Sequence, residues 1–308
     1  MNKGKVIIDL SLLERLWGIK LPIEVAENYG NFEIQCEQLD VEEFRRTIEK
    51  VINALKGDLV KSGSQRKTEW NLGWGSNLEN FKTTRDIQSL GPGYFEKSKL
   101  LRLDRKWVSP MSPNAEQNLL HLIVQTFAVI FLKSCSSIHE FGCGTGHNLI
   151  ALRKVLPNTK LIGLDWVESS QLLVNEISAT LKDSMMTSKG FNFFEPDFTF
   201  DLPENSGVLT VAALEQTGEN FIEFVNYLLA KRPSMVLNVE PIGELLDEND
   251  LLDFLSLEYF KKRNYIAGYL DYLRKLETQG KIQIVDTRRT FIGSMFIDGY
   301  SVCAWKPI

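Results

Sequence analysis

Three glycines at alternate positions punctuate the segment Ile138-His-Glu-Phe-Gly-Cys-Gly-Thr-Gly146. Glycine lacks a Cβ and tolerates positive φ, so a ligand can lie directly against the backbone of such a turn. The next residues, His147-Asn-Leu-Ile150, read as the start of a helix, whose free N–H groups and dipole favour an anionic group. Asp165 ends the following β-rich run, Leu161-Ile-Gly-Leu-Asp165, and an acid at a strand tip can accept hydrogen bonds from two ribose hydroxyls. Glu140 stands two residues before the first glycine. The pattern is G-x-G-x-G; in the dinucleotide fingerprint G-x-G-x-x-G the third glycine would fall on His147.

Such a loop needs strands to hold it. β-rich runs recur at 136–141, 160–165, 191–195, 207–213 and 234–240, with helical stretches between them at about 146–155, 169–182 and 219–231. This alternation predicts an α/β fold with a mostly parallel sheet and helices on both faces. A helix from about Asn114 to Lys133 leads into the first strand, and a helical insertion over 243–278 follows the fifth. Two last β-runs, 282–290 and 300–305, predict an antiparallel hairpin at the sheet edge. Residues 1–112 differ in character. Val41, Phe44, Ile48, Val51, Ile52 and Leu55 mark an amphipathic helix ended by Gly57. A stretch rich in Gly, Ser and Trp follows over 62–112, with the turn signal Gly91-Pro92-Gly93. The expected division is therefore a mainly helical N-terminal cap, 1–112, and an α/β domain, 113–308, carrying the 243–278 insertion. Cap and insertion are expected to cover the open side of the ligand site.

Residues 138–150 and 161–166 resemble the first two cofactor motifs of the class I S-adenosylmethionine-dependent methyltransferases. The seven β-runs match the Rossmann-like seven-stranded sheet of that family, and the similarity spans about 114–308. The resemblance implies S-adenosylmethionine as cofactor and S-adenosylhomocysteine as product. It implies that Gly142, Gly144 and Gly146, with Cys143, line the methionine part, and that Glu140 lies near its amino group. Asp165 would hold the ribose and Trp166 would pack on adenine. Asp197, in Phe193-Phe-Glu-Pro-Asp197-Phe198, matches the acid near the adenine amino group, beside Phe198; Glu195 or Asp201 could take its place. Ala213 and Leu214, after the fourth β-run, would flank the cofactor. The cap, the Val239-Glu240-Pro241 segment and the insertion also resemble bacterial small-molecule methyltransferases of sugar or secondary-metabolite tailoring.

Methyl transfer needs in-line alignment above all, and a base where the acceptor must lose a proton. The crevice of an open α/β sheet lies beyond the carboxyl ends of its strands. His147, Glu215 and Glu240 are the candidate bases there, with His147 first because imidazole titrates near neutrality. Helix-start, helix-cap and ion-pair roles compete for these three. Arg263, Tyr265 and Tyr269 suit an anionic or hydroxylated acceptor, although a basic outer helix face explains much of the same pattern. Arg102, Arg288 and Arg289 are further anion candidates, each expected at the surface. Trp70, Trp74 and Tyr94 could stack on a ring, with packing of the N-terminal region as the competing account. His121, on an apolar helix, and His139, inside a strand, read as structural.

Composition narrows the function classes. The net charge is −5, which gives no support for a sequence-independent grip on phosphates. Cys36, Cys135, Cys143 and Cys303 show no metal-ligand spacing, so no metal is expected and the thiols read as buried in a reducing cytoplasm. The apolar run Leu119–Leu132 is short for a bilayer and contains His121, Gln125 and Thr126. The expected partner is a small polar metabolite methylated on oxygen or nitrogen, with no nucleic acid or membrane. A nicotinamide-dependent oxidoreductase, or a silent cofactor-binding protein acting through a partner, are the alternatives.

Overall fold

The computed structural model describes residues 3–95 and 99–308. The N-terminal region runs β1 (Lys5–Asp9), α1 (Leu10–Trp17), α2 (Ile23–Tyr29), β2 (Glu33–Gln38), α3 (Val41–Lys56), α4 (Lys67–Thr84), β3 (Leu101–Leu103) and β4 (Lys106–Pro110). The predicted helix over 41–56 is α3. A reciprocal capping box starts it: Asp40 accepts from the Glu43 N–H, and the Glu43 side chain accepts from the Asp40 N–H. The helices of this region are built round an antiparallel sheet that the sequence did not disclose, because its strands are only three to six residues long.

The α/β region begins with α5 (Ala115–Leu132), β5 (Ser137–Phe141), α6 (His147–Val155), β6 (Lys160–Asp165), α7 (Glu168–Leu181) and β7 (Met186–Gly190). It continues with β8 (Ser206–Val211), α8 (Phe221–Lys231), β9 (Met235–Glu240), α9 (Leu251–Arg263), α10 (Tyr269–Thr278), β10 (Ile282–Arg288), β11 (Ile292–Ser294) and β12 (Ser301–Pro307). The expected seven-stranded sheet is present, in the order β10-β12-β9-β8-β5-β6-β7. β5 to β9 pair in parallel, while β12 is antiparallel to both β9 and β10. The chain between β10 and β12 does not simply turn. Its β11 joins the N-terminal sheet, which then reads β1-β2-β4-β3-β11.

One strand lies earlier than its β-rich residues suggest. The third parallel strand is Met186–Gly190, and the aromatic run 191–195 follows it as a loop. Phe191 and Phe193 leave the sheet to pack on Phe141 and Phe224, with ring centroids 4.7 Å apart in the pairs Phe141–Phe191 and Phe193–Phe224. β7 itself is an edge strand with exposed positions, so it can be polar.

The sheet is buried on both faces. α5 is long and apolar enough to cross a membrane, but 72% of it is buried inside the fold, so it is a core helix. Three arginines read as surface cations are structural. Arg289 is buried between Asp253 and Asp298. Arg102 is buried and donates to the Leu252 and Phe296 carbonyls. Arg288 pairs with Asp286 and donates to the Trp17 carbonyl. Together they tie α9 and the β10–β12 connection to the N-terminal region, and the buried Arg289 charge is paired as burial demands.

Candidate active site

At the carboxyl end of β5 the backbone turns through three glycines at positive φ: 75° at Gly142, 51° at Gly144 and 74° at Gly146. A side chain would be strained at each. Space is short as well. A Cβ on Gly142 would lie 2.5 Å from the Ala213 Cβ, and one on Gly144 would lie 3.2 Å from the Trp74 ring. Gly142 and Gly144 floor a cleft of about 550 Å³. Gly146 does not: it precedes α6 and sits 3.0 Å, at its would-be Cβ, from Val174 on α7, so its role is helix packing. Cys143 also turns inward, its Sγ 3.5 Å from the Ser170 Oγ.

Asp165 and Trp166, at the end of β6, form one side of the cleft. The Asp165 carboxylate accepts from the Gly144 N–H at 2.9 Å and from the Val167 N–H at 3.1 Å, which locks the strand tip to the glycine turn. Burial pushes its pKa up to about 6, against those N–H bonds. The loop after β7 supplies Asn192, Phe193 and Phe194. Asp197 is exposed and caps its own turn, accepting from the Thr199 N–H at 2.8 Å, so it does not reach the cleft. Phe198 is 46% exposed and packs on Tyr227. Asn192, two residues beyond the third strand, lines the cleft instead; the misplaced strand hid it. Ala213, Gln216 and Thr217 close the far side, while Leu214 is buried beneath.

The roof comes from α4. Trp70 and Trp74 line the cleft, their rings stacked at 5.2 Å and 24°. Asn71 accepts from the Ser169 N–H at 3.2 Å, and the Lys67 ammonium lies 5.8 Å from the Trp166 ring. These aromatic residues are therefore part of the site. Their signal in the sequence was the i, i+4 spacing, which puts both rings on one helix face.

The candidate bases separate. His147 is buried away from the cleft, its Nδ1 2.8 Å from the His121 Nε2 and its ring edge-on to Phe95. Burial holds it well below the usual imidazole range, with His121 adding to the effect. Glu240 is also withdrawn. It accepts from the N–H groups of Ala213, Leu214 and Glu215 at 3.2, 3.0 and 3.1 Å, and so fixes the turn that walls the cleft. Glu215 stays beside the cleft through its neighbour, since the Gln216 Nε2 donates to its Oε1 at 2.6 Å. Burial, and then Glu240, push Glu215 up to about 8. Tyr265 lies next to Glu215, and the Arg263 guanidinium lies 5.3 Å from the Tyr265 ring. Tyr269 is a core residue: fully buried, it donates to the Asn238 Oδ1 at 2.7 Å.

The residues fit S-adenosylmethionine. The glycine turn leaves backbone open to a ligand, Asp165 faces the cleft, and aromatic rings stand on two sides. Glu140 adds a sharper test. It is fully buried, its Oε1 accepts from the Asn148 Nδ2 at 2.8 Å, and its Oε2 has no hydrogen-bond partner among the described residues. A buried carboxylate oxygen left so is stabilised by a cationic donor such as the cofactor's ammonium.

Strand order, reversed β12, glycine turn and strand-tip acid define a Rossmann-like fold. No family model matches the chain. It is 26% identical over 161 residues to protein-lysine N-methyltransferase EFM4 of Saccharomyces cerevisiae, covering 51% of this chain and 63% of that protein. It is 24% identical over 129 residues to trans-aconitate 2-methyltransferase of Escherichia coli, covering 42% and 48%. The chain thus spans less than two thirds of the length of these curated relatives. Among solved structures, magnesium protoporphyrin IX methyltransferase of Synechocystis PCC 6803 superposes with a TM-score of 0.45 at 14% identity, over 62% of this chain and 82% of that one. The plantazolicin methyltransferase BpumL gives 0.44 at 14% identity, over 79% and 98%. By sequence the chain is thus similar to methyltransferases over about half of its length.

Proposed function

We propose that this protein transfers a methyl group from S-adenosylmethionine to an oxygen or nitrogen of a small polar metabolite, of sugar or nucleotide-sugar type, in the cytoplasm. One observation carries the reading: Gly142 and Gly144 floor a cleft that Asp165 borders and the α4 tryptophans roof. The cofactor supplies an electrophilic methyl carbon on a sulfonium sulfur. The chain's own part is positioning. Asp165 would hold the ribose, Trp166 and Phe194 the adenine, and Glu140 the methionine ammonium. Trp70 and Trp74 exclude water from the cleft, and Glu240 holds the turn bearing Ala213 to Glu215. Orientation of this kind supplies much of the rate for a displacement that needs little covalent help.

Calorimetry tests the reading. Saturable binding of S-adenosylmethionine and S-adenosylhomocysteine is expected, with none of NAD. Binding of NAD with neither sulfur compound would replace it by the oxidoreductase alternative.

A further inference from the structure

On the sheet face that α8 covers, β5 and β6 are apolar in their carboxyl halves but not in their amino halves. Ser137 and His139 alternate with Phe141 along β5 on this face. Lys160 and Ser206 flank Ser137 in register, and Ile162 and then Thr187 follow His139 across the sheet. No helix covers these positions. Helices join β5 to β6, β6 to β7 and β8 to β9, whereas residues 191–205 cross from β7 to β8 as a loop. Between that loop and the sheet lies an open recess of about 820 Å³. It shares no lining residue with the cofactor cleft.

The recess has a floor, a wall and a rim of different chemistry. Ser137 and His139 form the floor and are 3% and 2% exposed. Neither the Ser137 Oγ nor the His139 Nδ1 has a hydrogen-bond partner among the described residues. Ile162, Phe200 and Pro203 supply an apolar wall. Lys160 and Lys189 stand at the rim, both exposed and neither ion-paired among the described residues. Two acids lie nearby. Asp201 pairs with Lys231 at 2.5 Å, and Asp197 caps its own turn in the field of Lys189 and Lys231. Phe200 links floor to rim, its ring 6.4 Å from the His139 ring and 4.3 Å from the Lys189 ammonium.

Each part selects a different group. Burial pushes His139 down to about 4, so its imidazole is neutral at pH 7 and the floor calls for no charge. A hydroxyl suits the floor, because it can donate to one unpartnered atom and accept from the other. The lysines select an anion. The wall suits a flat apolar body between the two polar ends.

We propose that this recess is a second binding site, one for a hydroxylated aromatic acid, with its hydroxyl on Ser137 and His139 and its anionic group at Lys160 and Lys189. The site lies outside the methyl-transfer reading and does not depend on it.

The full chain is titrated calorimetrically at fixed ionic strength with 4-hydroxybenzoate, benzoate and 4-hydroxybenzyl alcohol, with and without S-adenosylhomocysteine. 4-Hydroxybenzoate is expected to bind saturably, about fivefold to tenfold tighter than either analogue, each of which lacks one polar end. S-adenosylhomocysteine should leave that affinity unchanged. Lys160→Gln and Lys189→Gln should each bring the acid close to the alcohol, whereas the exposed Lys56→Gln keeps the difference. Ser137→Ala should bring 4-hydroxybenzoate close to benzoate. Its melting temperature should hold or rise, since the hydroxyl removed has no partner. The two lysines are exposed, so their variants test the site even if Ser137→Ala fails to fold. No saturable binding of 4-hydroxybenzoate, equal binding of all three compounds, a preference indifferent to Ser137, Lys160 and Lys189, or competition with S-adenosylhomocysteine would each overturn the inference.

Discussion

At the scale of single residues, Asp165 carries most of the cofactor argument. It lines the cleft and accepts the backbone N–H groups of Gly144 and Val167. Asp165→Ala should weaken S-adenosylhomocysteine binding by about 1–3 kcal/mol, the scale of hydrogen bonds lost to a charged group. It should also lower the melting temperature, because the Gly144 and Val167 N–H groups lose their acceptor. Asp165→Asn keeps an acceptor oxygen, so it should recover stability while affinity stays low. If both variants bound the cofactor like the parent, the ribose would lie elsewhere. The glycine turn and Asp165 were legible because their roles follow from neighbours in the chain. His147, Glu240 and Tyr269 were not. Each is a plausible polar group at a strand end or helix start, but the direction of its side chain is set by His121, by the turn after Val211, and by Asn238. Those partners lie 25 or more residues away in the chain.

At the scale of elements, the parallel strands were readable where both sheet faces bury them, since such strands are continuous apolar runs. The reading slipped at β7, an edge strand with polar residues, next to a loop whose phenylalanines carry a stronger β signal. It named Trp70 and Trp74 as candidates to stack on a ring but did not see the helix that carries them. α4 has only Leu78 and Phe81 buried, so it lacks the broad apolar stripe that announces a packed helix. Its binding to the α/β region instead uses local contacts: Asn71 to Ser169, Arg85 to Glu176, and Trp74 on Gly144. Trp74→Ala should therefore leave folding nearly intact while opening the cleft. The expected loss of cofactor affinity is about 1–3 kcal/mol, comparable to removing an aromatic ring from a stacked ligand. Calorimetry and the quench of tryptophan fluorescence on titration would both report it. Tighter binding in the variant would mean that the indole obstructs the cofactor.

At the scale of the whole molecule, the site's chemistry sets a cost on the fold. Glu116, Glu140, Glu215 and Glu240 have folded-state pKa values of about 7, 8, 8 and 7, raised first by burial from an ordinary value of 4.5. A carboxyl raised on folding binds its proton more tightly in the native state, so its contribution is full below the unfolded pKa and is lost as pH climbs through the folded value. His121, His139 and His147 act in the opposite sense, because burial lowers them and their contribution is lost in acid. The unfolded histidines are neutral above about pH 6.5, which removes their opposition there. From about pH 6.5 to about pH 8.5, therefore, the carboxyls dominate the slope, and the buried thiols, also raised, add the same sign near the upper end. The unliganded protein should lose melting temperature across that window, by about 2–4 °C for each kcal/mol. A bound cation stabilises the ionised carboxylates, so saturating S-adenosylmethionine should flatten the slope, and S-adenosylhomocysteine, which lacks the sulfonium charge, should flatten it less. Thermal melts at fixed ionic strength would measure all three curves. An unliganded melting temperature that rises through this window would show that the buried acids are already neutralised by cations within the chain, and the electrostatic case for a charged ligand would fall with it.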